Sequence, residues 1–196
     1  MPGSDSKARI QHEAAELLSR DGYNGMGLKA LSEATGLPFG SIYHHFPGGK
    51  DEIAATAIVE TAEAIAQLLE ALLADGVTDE AIGRMFAFMA ERLEATDFVA
   101  GCVVGTPALD DPTPAPRVLG ACGSSFERLS EPIVAAFLRE GRSPDDARVM
   151  ATTLLSVYEG ATVLARAQRS REPLDAAATS MARLVALTRS SPRSGA

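Results

Sequence analysis

Apolar side chains recur along this chain at intervals of three and four residues, and no alternating apolar and polar run is long enough to predict a strand. This spacing gives each segment one apolar face, as expected for about nine amphipathic helices in an all-α fold. The expected helices cover residues 6–20, 28–35, a short third helix that opens at Pro38, 50–73, 79–95, 117–139, 144–169 and 174–188, with a loop or broken helix at 105–116.

Glycine, proline and small polar residues mark the predicted helix ends. Gly22 is expected to stop the first helix in a left-handed conformation. Thr78 and Ser143 stand where an N-cap side chain accepts a hydrogen bond from the first turn of the following helix. Pro132 lies inside a predicted helix and is expected to kink or break it. The tail, residues 190–196, is expected to be disordered.

Two short helices joined by "TGLP", residues 35–38, have the spacing of a helix-turn-helix. Gly36 permits the turn, and the second helix of such a motif lies across the major groove of DNA. Ile42 and Phe46 are one helical turn apart, so both are expected to face the core. The same geometry turns the remaining side chains of this helix outward, namely Phe39, Gly40, Ser41, Tyr43 and His44.

These outward residues suit contacts with DNA. The Phe39 ring can pack on a thymine methyl group, and Gly40 allows a close approach of the backbone. The hydroxyls of Ser41 and Tyr43 fit phosphate or base edges, and Lys50 is expected to meet a flanking phosphate. Residues 1–49 are therefore predicted to be a DNA-binding domain, followed by a second domain at 50–196.

The charge distribution separates these two domains. A net charge of −8 and a pI near 4.9 argue at first against nucleic acid, since lysine and arginine supply most affinity for phosphate. Residues 1–50, however, hold five basic and five acidic side chains, so residues 51–196, with 13 basic and 21 acidic, carry the whole −8. All three lysines and all three histidines lie in the first fifty positions. This asymmetry is typical of an interaction module joined to an acidic body.

Residues 8–53, "ARIQHEAAELLSRDGYNGMGLKALSEATGLPFGSIYHHFPGGKDEI", resemble the DNA-binding domain of TetR-family transcriptional repressors. The glycine-aromatic pair Gly22 and Tyr23, then Leu31, Gly36, the "GSIYHHF" core and the downstream lysine match the family in order. The signature covers about a quarter of the chain. The resemblance implies an N-terminal three-helix helix-turn-helix domain and a C-terminal helical domain for ligand binding and dimerisation.

Two further stretches narrow the resemblance. "FPGGKDE" at 46–52, with its extra residue, and "GCVVGTPALD" at 101–110 resemble the LmrA/YxaF-like subgroup. Its members are similar to repressors of multidrug-efflux or resistance genes. The resemblance implies a homodimer that binds a palindromic double-stranded DNA operator and is released by a small apolar or aromatic effector. It places base-proximal side chains at Lys29, Phe39, Gly40, Ser41 and His44, and phosphate contacts at Tyr43, His45 and Lys50.

Three positions depart from the family pattern. Gly27 stands where a serine or threonine usually caps the second helix, and Pro38 replaces a frequent serine before the third. Both changes remove a hydroxyl, so fewer phosphate contacts are expected at these two points. An inserted glycine precedes Lys50 and changes the reach of that lysine.

The second domain offers candidates for both an effector pocket and a dimer interface. Small and branched residues in "EGATVLARA" at 159–167 and "MARLVAL" at 181–187 suit a four-helix interface between subunits, as in the family. Methionines and aromatics at helical spacing are typical of a core, and they also line adaptable ligand cavities. The pocket candidates are Met85, Phe86, Met89, Cys102, Phe126, Tyr158 and Thr162.

Histidine and cysteine each admit a second interpretation. His44 and His45 suggest metal ligands, yet adjacent helical side chains point about 100° apart and no third ligand is nearby in sequence. Cys102 and Cys122 suggest a redox switch, but no basic neighbour lowers the pKa of either thiol, which favours two buried apolar residues. No metal site is predicted.

Enzymatic and membrane functions find no support. The sequence has no nucleophile elbow, no phosphate-binding glycine loop and no zinc-ligand spacing, so neither an enzyme nor a cofactor is expected. The longest apolar stretch, 98–109, is interrupted and far shorter than a membrane span. Without a CxxC pair or a signal-peptide pattern, a soluble cytoplasmic protein is expected. The alternative function is a small-molecule-binding helical protein whose N-terminal domain docks onto protein rather than DNA.

Overall fold

The computed structural model describes residues 2–110 and 115–189, and in these ranges the chain forms nine α-helices and no strand. The predicted all-α fold is therefore confirmed. The helices are α1 (Pro2–Gly25), α2 (Leu28–Thr35), α3 (Phe39–His45), α4 (Gly49–Leu72), α5 (Asp79–Ala95), α6 (Gly105–Ala108), α7 (Pro116–Arg139), α8 (Pro144–Gln168) and α9 (Glu172–Arg189).

The described residues form two compact units. The first unit contains 2–67, 99–110 and 115–129, and the second contains 68–98 and 130–189. Both α4 and α7 therefore contribute residues to each unit. The domain boundary predicted after residue 49 stays a prediction.

The first unit contains the predicted helix-turn-helix. Its three N-terminal helices pack around fully buried apolar side chains, including Ile10, Leu18 and Leu31. The segment that leads into α6 packs on α1, because the Gly101 N–H donates a 2.8 Å hydrogen bond to the Ser19 carbonyl. α6 is thereby fixed against α1, the helix that packs on α2 and α3.

Most predicted helix ends agree with the structure, but the end of α1 does not. Gly22 adopts φ 68° and ψ −174°, and yet helical structure resumes to Gly25, since the Met26 N–H bonds the Gly22 carbonyl at 3.1 Å. The predicted stop is therefore a kink. Pro132 does not break α7, which runs from Pro116 to Arg139. The predicted tail at 190–196 and part of the loop at 105–116 lie outside the described residues.

Two predicted N-caps are confirmed. The Thr78 hydroxyl accepts a hydrogen bond from the Ala81 N–H at 3.1 Å, and the Ser143 hydroxyl accepts one from the Asp146 N–H at the same distance. These side chains satisfy donors of the first helical turn that have no partner within the helix. They fix where α5 and α8 begin.

The second unit is built by the mutual packing of α5, α8 and α9. Ile82, Leu154 and Val185, one from each helix, are fully buried. At one end of this unit the Glu140 carboxylate accepts hydrogen bonds from the Val77 N–H at 2.7 Å and from Arg189 Nη2 at 2.6 Å. Glu140 thus joins the end of α9 to the start of the α5 segment.

Glu140 is expected to make the stability of the protein depend on pH. Burial raises the pKa of Glu140, but the hydrogen bonds and charge of Arg189 and the Val77 N–H outweigh it, so the net pKa is lowered. A lowered pKa stabilises the fold above the unfolded value of about 4.3, and this stability is lost as the pH falls through the folded pKa. We expect Glu140→Gln to lower the free energy of unfolding by about 1–3 kcal/mol at pH 7.

Urea unfolding between pH 3 and pH 7 measures this effect. The difference between wild type and Glu140→Gln should begin to shrink as the pH falls below the unfolded value of about 4.3 and should vanish below the lowered folded pKa, where the wild-type carboxylate is protonated as well. Glu91→Gln, an exposed carboxylate on α5, is the matched control and should change little. An equal loss of stability at every pH would contradict the assigned role of the Glu140 charge.

Candidate nucleic-acid interface

The turn between α2 and α3 is held by local hydrogen bonds. Gly36 ends α2 in the left-handed region, at φ 64° and ψ 16°, which glycine adopts without strain. The Ser32 hydroxyl donates to the Leu37 carbonyl at 2.7 Å, and the Thr35 hydroxyl accepts from the Leu37 N–H at 3.3 Å. These contacts close the turn and set the direction in which α3 leaves it.

One face of α3 is buried and the other is open to solvent. Ile42 is fully buried and Phe46 is 2% exposed, whereas Phe39 and Tyr43 are 48% and 46% exposed. Phe39 and Tyr43 are one helical turn apart, so both rings lie on the same open side of α3. Of the remaining α3 candidates, Gly40 and His44 are exposed and Ser41 and His45 are half-buried.

Lys29 and His45 are the remaining DNA-contact candidates of α2 and α3. Lys29 lies on α2 with its side chain 86% exposed, and its Nζ is 3.9 Å from Glu33 Oε1. The rings of His44 and His45 meet edge to face, with centroids 5.3 Å apart. Within the described ranges, no three His, Cys, Asp or Glu side chains are grouped so as to hold a metal ion.

The two departures from the usual helix caps are visible in the structure. Gly27 and Pro38 occupy the N-cap positions of α2 and α3, and neither supplies a side-chain hydrogen bond to its helix. Both have extended backbone, as an N-cap requires. A hydroxyl that would contact a phosphate is absent at both points.

Lys50, the predicted phosphate contact at the start of α4, is half-buried. Its Nζ lies 4.1 Å from the centroid of the Tyr23 ring, and the Tyr23 hydroxyl donates a hydrogen bond to Asp51. Burial lowers the pKa of Lys50, while the negative charges of Asp51 and Asp110 oppose that shift. Burial, together with the bond to Asp51, raises the pKa of Tyr23 to about 12. In this structure the ammonium is therefore directed at the end of α1.

Asp110 also belongs to the surroundings of Lys50, and it was not predicted from the sequence. Its Oδ2 accepts a 3.0 Å hydrogen bond from the Asn24 N–H, and a Cβ placed on Gly22 would lie 2.7 Å from the same oxygen. The sequence predicted that Gly22 ends the first helix. Because glycine has no Cβ, Gly22 also allows the Asp110 carboxylate to approach the backbone. No local signal points to this contact, because 86 positions separate Asn24 from Asp110.

The pocket candidates are divided between the two units. In the second unit the rings of Phe86 and Tyr158 meet edge to face with centroids 5.4 Å apart, and the Thr162 hydroxyl donates to the Tyr158 carbonyl at 2.8 Å. Met85 and Met89 are buried on α5 beside Phe86. The two remaining candidates, Cys102 and Phe126, belong to the first unit.

Both cysteines are buried. Burial raises the pKa of the Cys122 thiol to about 11, so at neutral pH this thiol is protonated and unreactive. The raised pKa and the burial support the interpretation of Cys122 as a small apolar residue.

No helix within the described ranges has the length and apolar character needed to cross a membrane.

Two family models match the chain. Residues 10–57 match the model for bacterial regulatory proteins of the tetR family, and residues 78–180 match the C-terminal domain of LmrA/YxaF-like transcriptional regulators. The first match covers the helix-turn-helix, and the second covers α5 to α8 and the start of α9. The resemblance found in the sequence is therefore confirmed.

Two relatives align over most of their length. The HTH-type transcriptional regulator LmrA of Bacillus subtilis is 29% identical over 177 residues, which cover 89% of this chain and 93% of LmrA. The uncharacterized HTH-type transcriptional regulator YxaF of the same organism is 27% identical over 172 residues, covering 87% of this chain and 90% of YxaF. Both relatives are HTH-type transcriptional regulators.

Solved structures share the fold. A TetR transcriptional regulator from Legionella pneumophila superposes with a TM-score of 0.80 at 22% identity, covering 90% of this chain and 95% of the other. A cysteine mutant of the TetR-family regulator CifR, solved with 26-base-pair operator DNA, gives a TM-score of 0.71 at 23% identity, with 89% and 94% covered.

Proposed function

Because this chain belongs to the TetR family of bacterial transcriptional regulators and carries an LmrA/YxaF-like C-terminal domain, we propose that it is a homodimeric repressor released from a palindromic operator by a small apolar or aromatic effector. The family consists of DNA-binding regulators, so the chain is not an enzyme. The alternative function, in which the N-terminal domain docks onto protein rather than DNA, is set aside because the family consists of DNA-binding regulators. Control of efflux or resistance genes is part of the proposal.

The open face of α3 is the observation that carries the DNA-reading part of this proposal. Phe39 and Tyr43 project into solvent while Ile42 and Phe46 anchor the helix from behind. A helix held in this way can enter a major groove without losing its core contacts. The base-proximal residues are Lys29, Phe39, Gly40, Ser41 and His44, and the phosphate contacts are Tyr43, His45 and Lys50.

A homodimer is supported by apolar side chains that α8 and α9 leave exposed. Leu164 is 52% exposed on α8, and Leu184 and Leu187 are 36% and 70% exposed on α9. Two copies of this helix pair can bury these side chains in a four-helix interface. The dimer would present two α3 helices about 34 Å apart, one turn of DNA, to the half-sites of a palindrome. That CifR, which shares this fold, was solved with operator DNA supports operator binding by this chain.

An apolar effector is supported by the side chains that α5 and α8 bring together. Met85, Met89 and the Phe86–Tyr158 ring pair offer a soft, aromatic lining with few charges. A ligand bound here releases the operator only if it favours the state that cannot bind DNA. We therefore place the effector in this part of the second unit.

Selection of random duplexes by the purified protein tests the function, and substitutions on α3 test the site. We expect Phe39→Ala and Ser41→Ala each to relax preference at one operator position by about 1–3 kcal/mol, because each removes a contact with a base. Phe88→Ala is the matched control, because Phe88 is also an exposed ring, at 49%, but lies on α5, outside the predicted DNA-binding domain. An unchanged selected motif would show that neither α3 side chain reads bases.

A further inference from the structure

Three segments of the first unit meet around the Lys50 ammonium. The end of α1 contributes the Tyr23 ring, on which the ammonium lies at 4.1 Å. The first turn of α4 contributes Asp51, which accepts the Tyr23 hydroxyl hydrogen bond. The segment after α6 contributes Asp110, held in place by the Asn24 N–H at 3.0 Å. The negative charges of Asp51 and Asp110 both favour the charged form of this half-buried lysine.

This arrangement compensates Lys50 for lost hydration. An ammonium over an aromatic face gains a cation–π interaction, and a nearby carboxylate favours its charged form. Asp110 contributes its charge from a position remote in sequence, and its carboxylate is oriented by the backbone and not by Lys50 itself. A phosphate that binds Lys50 must draw the ammonium away from these partners.

We propose that Asp110 is a positioning residue that competes with operator phosphates for Lys50 and thereby lowers the affinity of the helix-turn-helix for DNA. The inference rests on the proposed phosphate contact of Lys50. Asp110 acts through Lys50, so any gain from replacing Asp110 beyond that of removing one negative charge requires Lys50. Asp110→Asn isolates the charge, because asparagine keeps an oxygen that accepts the Asn24 N–H.

The position of Lys50 can be measured directly, because the chain has only three lysines. Reductive methylation with ¹³C keeps their charge and gives each lysine its own NMR signal. The Lys50 signal should be displaced by the ring current of Tyr23, with the 86% exposed Lys29 as reference. In Asp110→Asn the signal should move toward that of Lys29, and an unchanged signal overturns the proposal.

Operator affinity tests the competition. We expect Asp110→Asn to bind the selected operator about two- to fivefold more tightly than wild type. In the Lys50→Ala background the same change should gain no more than Glu60→Gln, which removes one exposed negative charge from α4. An equal gain of Asp110→Asn in both backgrounds would mean that its charge acts on DNA directly, and the proposal would be wrong.

The wild-type protein provides a measurement that does not depend on the folding of any variant. Adding the selected operator should move the Lys50 signal out of the ring-current position, and a signal that stays there overturns the proposal. If wild type selects no duplex at all, the proposed function fails. In that case the signals of wild type and Asp110→Asn still report whether Asp110 holds Lys50.

Discussion

Replacing Leu164 or Leu184 with arginine is expected to lower operator affinity by about 10²-fold or more, because one subunit then binds where two bound before. Each leucine is partly exposed on the α8–α9 pair, so the substitution leaves the core of the subunit intact. An arginine at the centre of an apolar interface would be buried without a partner, which is costly. Residues 1–50 of one subunit have no net charge, so one DNA-binding domain alone is expected to bind DNA weakly.

Sedimentation and fluorescence anisotropy with the selected operator measure the two halves of this prediction. The arginine variants should sediment as monomers and bind single half-sites weakly. Leu138→Arg, on α7 and 42% exposed, is the matched control and should remain a dimer with wild-type affinity. A monomeric variant that bound the full operator as tightly as wild type would refute the requirement for a dimer.

Tyr158→Ala is expected to change effector affinity by about tenfold or more while leaving operator affinity of the ligand-free protein within about twofold. The ring of Tyr158 packs on Phe86 in the second unit, whereas the proposed DNA contacts belong to the first. Tyr158→Phe keeps the ring and should retain most of the effector affinity. Phe88→Ala, an exposed ring on the same helix as Phe86, should have no effect on either ligand.

The measurement requires one preparation and two titrations. A compound that releases the operator is first found by screening apolar and aromatic candidates. Because coupling is reciprocal, bound operator must weaken binding of this compound by the factor by which the compound weakens operator binding. A compound that binds equally well with and without operator is not an inducer. If Tyr158→Ala bound the inducer as wild type does, the pocket would lie elsewhere.

Helices bounded by strong local signals were predicted correctly from the sequence. α2 spans 28–35 and α5 spans 79–95 as expected, because Gly36 ends the first and Thr78 caps the second. The end of α1 was wrong, since a glycine with positive φ serves a kink as well as a stop and the sequence cannot distinguish them. Pro132 does not break α7, because a helix of 24 residues can tolerate the loss of one backbone N–H.

The candidate interface was predictable only where it depends on local periodicity. The burial of Ile42 and Phe46 determines which side chains of α3 face outward, and both positions follow from helical spacing. The direction of Lys50 was not predictable, because it depends on the position of the Tyr23 ring, which another helix supplies. The pocket candidates were chosen by residue type, which cannot assign Cys102 and Phe126 to a different unit from Phe86.

The division of α3 into a buried anchor and an exposed face bears on how such a regulator evolves. Substitutions at exposed positions such as Phe39, Tyr43 and His44 usually change folding stability by less than about 0.5 kcal/mol. After gene duplication, one copy can therefore acquire a new operator preference by changes on this face without compensating changes in its core. Ile42 and Phe46 have no such freedom, because a smaller side chain at either position leaves a cavity under the helix. Duplicated regulators of this type are expected to diverge first in the sequences they bind and last in the residues that hold α3 in place.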